Sequence, residues 1–351
     1  MSISDPDLVA PFPWFGGKRR VAADIWARLG NVDNYVEPFF GSGAVMLARP
    51  HTARVETIND ADHYVTNFWR AVQAAPGEVA TWADWIVSEA DLQTRHAWLV
   101  TVGRDRIAAC GTDAAHYDAQ VAGWWLWGIC SWIGGGWCSG DGPWTVQDGK
   151  WVGRAESEPA EGRGISRRVP HVGSAGQGIN RKLPHGSGRT TYITGWITDL
   201  ASRLRGTRIA CGDWTRVCSP TVAWKHGLTG VFLDPPYGVD DRATVYSHDC
   251  RHIAAQVRGW AIDARRRDDK RIAFAGYDGE HAFPDDWTIQ KWKAHGGMGN
   301  LGDGDGRINS SRETLWFSPA CLAAPQPDLF APTPSADAYD RDLRQMFAES
   351  P

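Results

Sequence analysis

The stretch that decides the fold is the heptapeptide VFLDPPY, residues 231–237, in which three apolar residues run into an acid, two prolines and a tyrosine. The apolar run predicts a buried strand, and Asp234 follows directly at its end. Because proline fixes φ and has no backbone N–H, the Pro-Pro pair ends the strand and turns a carbonyl outward. A tetrapeptide of Asp, Asn or Ser, two prolines and an aromatic residue should occur by chance in roughly one chain of this size in a hundred.

Residues 234–237 suit chemistry at the exocyclic amine of a nucleic-acid base. Such an amine is a poor nucleophile, because its lone pair is delocalised into the ring. The Asp234 carboxylate and the Pro235 carbonyl can accept its N–H bonds, which favours the pyramidal amine with a free lone pair. Tyr237 offers a ring face on which a flipped base can stack. The alternative interpretation is a plain Pro-Pro turn after a strand.

A second motif, YVEPFFGSG at residues 35–43, predicts a strand that runs into a Gly-x-Gly turn and a helix. Glycines there let the backbone approach a nucleotide-like ligand closely. A dinucleotide site is disfavoured because the third glycine is missing, and a P-loop is disfavoured because no Gly-Lys-Ser follows. Asp60 ends the next strand about twenty residues on, where an acid commonly holds ribose hydroxyls. Its alternative role is a helix N-cap before Ala61.

A third motif, PFPWFGGK at residues 11–18, lies just before the first predicted helix. Lys18 can pair with a ligand carboxylate, and Trp14 can cover an apolar or cationic group. The alternative interpretation is an ordinary turn at the entry of a helix.

Outward from these motifs, apolar strand-like runs alternate with helical stretches. This alternation predicts an α/β fold with a mostly parallel sheet covered on both faces. A mainly helical, Trp-rich and then basic stretch between residues 62 and 203 interrupts the sheet and is the natural candidate for a specificity region. Its tryptophan cluster, residues 124–137, is interpreted as a core patch, with a base-stacking surface as the alternative. The predicted strands span residues 34–37, 54–59, 208–211, 230–233, 271–275, 287–292 and 314–317.

In this order, the three motifs resemble those of the DNA adenine methylase family, whose members transfer a methyl group from S-adenosylmethionine to N6 of adenine. The resemblance covers roughly residues 10–75 and 205–318. It implies a Rossmann-like methyltransferase fold with a mostly parallel seven-stranded sheet and an inserted target-recognition region. The Trp-rich segment 123–151 makes the chain most similar to the bacteriophage-encoded members.

The resemblance also implies a role for each motif residue. Asp60 would hold the ribose of the cofactor, Asp213 and Trp214 would contact its adenine, and Asp234 would sit beside the transferring methyl group. The implied catalytic residues are Asp234, Pro235, Pro236 and Tyr237. The implied cofactor-binding residues are Trp14, Gly16, Gly17, Lys18, Glu37, Phe39, Gly41, Gly43, Asp60, Asp213, Trp214 and Asp234.

The reaction that this resemblance implies is site-specific methyl transfer to adenine N6 in double-stranded DNA, by direct displacement and without a metal ion. Asp at position 234 favours adenine, because cytosine-N4 enzymes favour Ser there and protein-glutamine enzymes favour Asn. RNA adenine enzymes can share the Asp, so an RNA N6-adenine methyltransferase stays an alternative. A catalytically silent DNA-binding protein of the same fold is a second alternative. A restriction-modification role would need a nuclease on a separate chain.

The charge distribution indicates where a nucleic acid would bind. The chain carries a net charge of −4, but residues 150–208 carry +7 and the remainder −11. A basic segment rich in Gly and Ser suits phosphate contacts and predicts steep salt dependence, whereas a solvated loop without a partner is the alternative. The predicted DNA-binding residues are Arg167, Arg168, Arg181, Lys182 and Arg189.

The predicted organisation is a catalytic domain over residues 1–61 and 203–322, an inserted recognition region over 62–202, and a disordered Pro/Ala/Asp-rich tail over 323–351. The tail sequence Gln326-Pro327-Asp328-Leu329-Phe330 is similar to the peptide by which bacterial replication and repair proteins bind the sliding clamp. No apolar run approaches 18 residues, and the N-terminus lacks the basic residues of a signal peptide. The seven cysteines form no CxxC pair. We therefore expect a monomeric protein with reduced thiols, without a membrane segment or a metal site, in the cytoplasm of a bacterial host.

Overall fold

The computed structural model describes residues 8–14, 16–51, 54–132, 137–138, 144–147, 150–153, 188–236, 251–292 and 313–323. The strands are β1 Asn34–Glu37, β2 Val55–Asp60, β3 Trp144–Gln147, β4 Lys150–Gly153, β5 Thr207–Cys211, β6 Thr229–Leu233, β7 Lys270–Tyr277, β8 Thr288–Lys291 and β9 Glu313–Phe317. The α-helices are α1 Ala22–Leu29, α2 Ala44–Leu47, α3 His63–Ala74, α4 Pro76–Ala83, α5 Glu89–Trp98, α6 Arg104–Arg106, α7 Ala119–Ser131, α8 Gly188–Leu204, α9 Pro220–Ala223 and α10 Arg251–Ala264.

Seven strands form one sheet in the order β5-β2-β1-β6-β7-β9-β8, and β3 pairs with β4 in a separate antiparallel pair. Each of the seven segments predicted as strands overlaps a strand of the large sheet. β5, β2, β1, β6 and β7 pair in parallel, whereas β9 runs antiparallel to both β7 and β8. The sheet is therefore mixed, which corrects the prediction of a mostly parallel sheet. The reason is that β9 lies between β7 and β8 and runs in the opposite direction to both. Apolar periodicity does not encode the direction of a strand.

The centre of the sheet positions the first two motif acids. Every residue of β1 and of β6 is buried, as expected for neighbouring parallel strands covered on both faces. The two strands pair directly, with Val36 opposite Val231. Glu37, the last residue of β1, and Asp234, the first residue after β6, consequently lie at the same edge. Strand order reverses between β1 and β6, and in open α/β sheets ligands bind in the crevice beyond such a reversal.

One hydrophobic core crosses the predicted boundary between residues 61 and 62. Phe12 contacts Phe68 of α3 and Trp125 of α7 edge-to-face, with ring centroids 5.3 and 4.8 Å apart. The buried guanidinium of Arg70 in α3 donates to the backbone carbonyls of Cys110 and of Ile209 in β5. The helices between β2 and β5 are therefore packed on the sheet, and their separation as a recognition region stays a prediction.

The aromatic residues of this helical region form a core patch. Trp125, Trp127 and Trp132 are buried. The guanidinium of Arg95 in α5 lies 4.5 Å from the ring centroid of Trp127 and contacts two further tryptophan rings. These observations favour the core interpretation for the described part of the cluster. Among all the residues that the structure describes, no helix has the length and apolar character that a membrane crossing requires.

The neighbouring His96 predicts a loss of stability in acid. Its ring packs against both Trp132 and Trp137, with centroids 5.2 and 5.1 Å away. Burial, with a smaller effect of the Arg104 charge, lowers the pKa of His96 to about 4 from its usual 6.5. The unfolded chain therefore takes up a proton near pH 6.5, whereas the folded protein takes it up only near pH 4. We expect this group to lower the free energy of unfolding by up to about 3 kcal/mol as pH falls from 6.5 to 4.

Denaturant unfolding at several pH values checks this expectation against the variant His96→Phe, which keeps an aromatic ring and removes the titration. The difference in unfolding free energy between the two proteins should change over pH 4–6.5 and stay constant above it. Parallel curves for the two proteins would contradict the assignment.

Candidate active site

A cavity opens at the carboxyl ends of β1 and β6, where the sequence motifs converge. Residues from the N-terminal segment, the Gly-x-Gly turn, the end of β2 and the end of β6 all contribute to its wall. Ile253 of α10 closes one side. The predicted site residues that line the cavity are Trp14, Gly16, Gly17, Lys18, Glu37, Phe39, Gly41, Asp60, Asp234, Pro235 and Pro236.

The glycine turn after β1 needs its glycines. Gly41 and Gly43 have φ values of +48° and +70°, in the left-handed region that side chains rarely adopt. A Cβ atom on Gly41 would overlap the indole of Trp14, and one on Gly43 would lie 2.6 Å from the Phe40 ring. The Gly41 carbonyl accepts a hydrogen bond from Trp69 Nε1 at 2.9 Å. The turn thus brings the backbone of residue 41 against the cavity and the Trp14 ring.

Asp60 ties this turn to the end of β2. Its Oδ2 accepts from the Gly41 backbone N–H at 2.9 Å, and its Oδ1 accepts from the Asp62 N–H at 2.9 Å. The N-cap of α3 is Asp62, whose carboxylate accepts from Tyr64 N at 2.7 Å, so the alternative role of Asp60 as the helix cap is wrong. Burial and then the Asp62 charge raise the pKa of Asp60 to about 7. Asp60 is consequently near half-ionised at neutral pH.

Lys18 connects three parts of the chain at the cavity wall. Its side chain is only 2% exposed, and its Nζ lies 3.0 Å from Asp234 Oδ2 and 3.7 Å from Glu313 Oε2. The ammonium also donates to the Gly16 carbonyl at 2.7 Å. Lys18 therefore lines the cavity with its charge already directed to two carboxylates, one of which is the acid of the Pro-Pro motif.

Another acid, Glu37, is buried at the end of β1 and lines the cavity. The hydroxyl of Tyr35 donates to Glu37 Oε2 at 2.8 Å. Burial raises the pKa of Glu37 well above its usual value, and the charge of Asp234 acts in the same direction, whereas the Tyr35 hydrogen bond opposes it. Burial thus disfavours the charged form of the Glu37 carboxyl group, whereas a positive charge nearby would favour it.

The Pro-Pro motif continues directly from β6. Asp234 is partly exposed to the cavity, with 21% of its side chain accessible, while Pro235 is buried. The Asp234 carboxylate and the adjoining backbone can therefore reach a group placed in the cavity. Tyr237 lies outside the described residues.

Asp213 and Trp214 do not line the cavity. Asp213 is exposed, and its carboxylate accepts from the Thr215 backbone N–H at 2.9 Å. Trp214 is buried, and its ring centroid lies 6.5 Å from that of Phe39, which does line the cavity. The pair is thus joined to the site through Phe39. Its expected contact with a cofactor adenine stays a prediction.

The predicted interfaces with macromolecules fall outside the described residues. This holds for Arg167, Arg168, Arg181 and Lys182 and for the clamp-like peptide at 326–330. Arg189 belongs to α8, but its side chain is outside the description as well. Within the described part, no group of three or more His, Cys, Asp or Glu side chains is arranged to hold a metal ion.

Three residues at or beside the site were not predicted from the sequence: Glu313, Tyr35 and Ile253. Glu313 is the first residue of β9 and is buried, and an acid at the start of an otherwise apolar strand was the available signal. Tyr35 stands within the second motif, two residues before Glu37, so both point to the same face of β1. Ile253 gives no signal, because an apolar residue in an amphipathic helix is most often a core residue.

The side chains around the cavity suit a small number of chemical roles. It offers hydrogen-bond acceptors at Asp234 and at the backbone beside it, facing a cavity whose wall carries three further acids, Glu37, Asp60 and Asp62. Lys18, the cation among the described lining residues, is already engaged. Such a cavity suits a ligand that carries positive charge, and it suits a substrate that donates hydrogen bonds from an amine.

Comparison with known families agrees with this chemistry. Residues 14–92 match the family described as D12 class N6 adenine-specific DNA methyltransferase. No curated protein matches the chain. The matched segment contains Trp14, Lys18, the glycine turn and Asp60, whereas Asp234 lies beyond it and meets them only in the folded protein. Over residues 14–92, the chain is therefore similar to the family of D12 class N6 adenine-specific DNA methyltransferases.

Proposed function

We propose that the protein transfers a methyl group from S-adenosylmethionine to N6 of adenine in double-stranded DNA, at specific sites. One observation carries the proposal: Asp234 and the following prolines, at the end of β6, share a cavity wall with the family-matched residues of the glycine turn. The strand order supports a Rossmann-like fold. Counted within the large sheet alone it is 3-2-1-4-5-7-6, and its first five positions are those of doubly wound nucleotide-binding sheets.

The residues of the cavity fit S-adenosylmethionine better than a phosphorylated nucleotide. Phosphates are held by arginine or lysine or by a helix N-terminus, but here the wall presents Glu37, Asp60, Asp62 and Asp234. A sulfonium compound has the positive charge that such a wall attracts. The turn at Gly41, into which a side chain does not fit, supplies the close backbone approach that a bound nucleoside needs. Trp14, Glu37, Phe39 and Asp60 would hold the cofactor.

When bound, S-adenosylmethionine would supply an electrophilic methyl group, whose bond to sulfur is exchanged for a bond to the adenine nitrogen. The Asp234 carboxylate and the Pro235 carbonyl would accept the two N–H bonds of the adenine amine and favour a pyramidal nitrogen with a free lone pair. The Asp234 carboxylate would also accept the proton that the methylated nitrogen loses. Proximity and orientation supply most of the acceleration, because no covalent enzyme intermediate is needed.

Methylation assays on several polymers test the proposal directly. Purified full-length protein is incubated with methyl-labelled S-adenosylmethionine and unmethylated double-stranded DNA or RNA, and expression in a methylation-deficient host is followed by single-molecule sequencing. We expect N6-methyladenine in DNA within one sequence motif. Labelling of RNA alone would favour an RNA methyltransferase. Folded protein that binds DNA but neither binds cofactor by calorimetry nor methylates would favour a catalytically silent protein.

The raised pKa of Asp60 predicts how cofactor binding depends on pH. A ribose diol donates hydrogen bonds to an ionised carboxylate, so binding favours the charged form of Asp60, whose pKa is about 7 in the free protein. The affinity for S-adenosylhomocysteine should therefore be constant above pH 8. Below pH 7 it should fall by nearly tenfold for each pH unit.

Isothermal titration calorimetry between pH 5.5 and 8.5 measures this dependence. The variant Asp60→Asn keeps the size of the side chain but cannot ionise, so its weaker binding should be independent of pH over this range. A wild-type affinity that stays flat across pH 7 would contradict the proposed role of Asp60.

The remaining predictions complete the proposal. The segment 62–202 would recognise the target sequence, with the basic residues of its C-terminal part on phosphates, because residues 150–208 carry a net charge of +7. The tail peptide 326–330 would bind a bacterial sliding clamp. A pull-down with the clamp tests the latter, and deletion of residues 323–351 should abolish the interaction.

A further inference from the structure

We propose that Glu313 is a positioning residue that acts on Asp234 through the ammonium of Lys18. The inference rests on the proposed function, because it concerns Asp234 as the acceptor of the adenine amine. Glu313 does not line the cavity, so it reaches the reacting atoms only through another side chain.

Lys18 is the link between the two acids. Its ammonium donates to the Gly16 carbonyl at 2.7 Å and pairs with Asp234 Oδ2 at 3.0 Å, and Glu313 Oε2 lies at a longer ion-pair distance of 3.7 Å. The side chain is 2% exposed, so water competes little for these donors. Both carboxylates therefore attract the ammonium and contribute to its position.

The strand β9 fixes the outer end of this network. Glu313 is the first residue of β9, stands opposite Tyr277 at the end of β7, and has 5% of its side chain exposed. Its backbone carbonyl accepts from Trp292 N at 3.0 Å. The antiparallel entry of β9, which makes the sheet mixed, thus delivers a rigidly held carboxylate behind the Lys18 ammonium.

This geometry has a consequence for Asp234. With Glu313 charged, the ammonium is shared, and Asp234 keeps basicity for the N–H bonds of the amine. If Glu313 loses its charge, the ammonium loses the attraction of that carboxylate and moves toward Asp234. That shift both displaces the carboxylate and weakens it as an acceptor. A displacement of about 1 Å at reacting groups can lower a rate a hundredfold.

The variant Glu313→Gln tests the role, because glutamine keeps the size and removes the charge. We expect kcat to fall by about tenfold to a hundredfold. The dissociation constant for S-adenosylhomocysteine should stay within about threefold, since residues other than Glu313 line the cavity. A purely structural role would instead lower the stability and leave kcat per folded molecule unchanged.

A double-mutant cycle with Lys18→Met then asks whether the effect passes through Lys18. Residues that act through one another are non-additive. The double variant Lys18→Met/Glu313→Gln should be no slower than the slower of the two single variants. If the two losses multiply, Glu313 does not act through Lys18 and the inference is overturned.

Glu56→Gln is the matched control. Glu56 is also a buried carboxylate, 2% exposed, and it pairs with Arg49 at 3.1 Å and Arg203 at 2.6 Å without lining the cavity. Its variant should lower the unfolding temperature and leave kcat unchanged. Wild-type enzyme that folds but transfers no methyl group overturns the proposed function and this inference together. Active wild-type enzyme with a fully active Glu313→Gln variant overturns the inference alone.

Discussion

Replacement of Asp234 by alanine is expected to lower the rate of methyl transfer by at least about a thousandfold. The carboxylate lines the cavity at the end of β6 and, in the proposed mechanism, accepts a hydrogen bond from the reacting amine. Without it, the adenine amine keeps its lone pair in the ring, and the proton released after transfer loses its proposed acceptor. Binding of S-adenosylhomocysteine should change much less, because most of the cavity wall is untouched.

Single-turnover transfer of a labelled methyl group to DNA measures the effect, with circular dichroism to verify folding. Asp269→Ala is the matched control, because Asp269 also pairs with a buried lysine, Lys270, at 2.9 Å, but at the start of β7 and thus at the opposite edge of the sheet. The control should lose stability and retain its rate. An Asp234→Ala variant within tenfold of wild type would remove this residue from the mechanism.

Substitution of Gly41 by alanine is expected to weaken binding of S-adenosylhomocysteine by about a hundredfold or more. The residue has φ +48°, which costs roughly 1–2 kcal/mol for a residue with a Cβ atom. The added methyl group would also push the Trp14 indole from the cavity wall. The hydrogen bond from Gly41 N to Asp60 would be disturbed at the same time.

Gly195→Ala supplies the control for this loss. Gly195 lies within α8, and nothing stands within 4 Å of where its Cβ atom would be. Alanine there should leave binding unchanged and raise the unfolding free energy by up to about 1 kcal/mol, because it favours the helix. Calorimetric titration of both variants decides the matter. Equal affinities would show that the glycine turn does not form the cofactor pocket.

Much of the fold was predictable from local pattern. The strands at residues 34–37 and 230–233 are short, apolar and bounded by turn residues, and both are fully buried at the centre of the sheet. The order of the strands at the far edge was not predictable. Whether β9 lies outside β8 or between β7 and β8 depends on the packing of side chains distant in sequence, which periodicity does not report.

The site shows the same division. The motif residues Trp14, Gly41, Asp60 and Asp234 do line one cavity, as the motifs predict. The interaction partners of those residues could not be predicted from the sequence. Lys18 was interpreted as a partner of a ligand carboxylate, but its ammonium lies against acids of the protein itself, because burial of a lysine requires compensating negative charge. Such pairing needs the tertiary structure, since both acids lie far from Lys18 in the sequence.

The ion pairs of Lys18 also bear on how the protein is made. The N-terminal segment leaves the ribosome first, whereas β9 is the last strand of the sheet to be made. Lys18 therefore has both of these carboxylates beside it only when the sheet is nearly complete. Contacts between such distant positions raise the contact order and slow folding. A nascent or prematurely terminated chain that ends before β9 consequently lacks the Glu313 carboxylate beside Lys18, and we expect such products to lack the proposed activity.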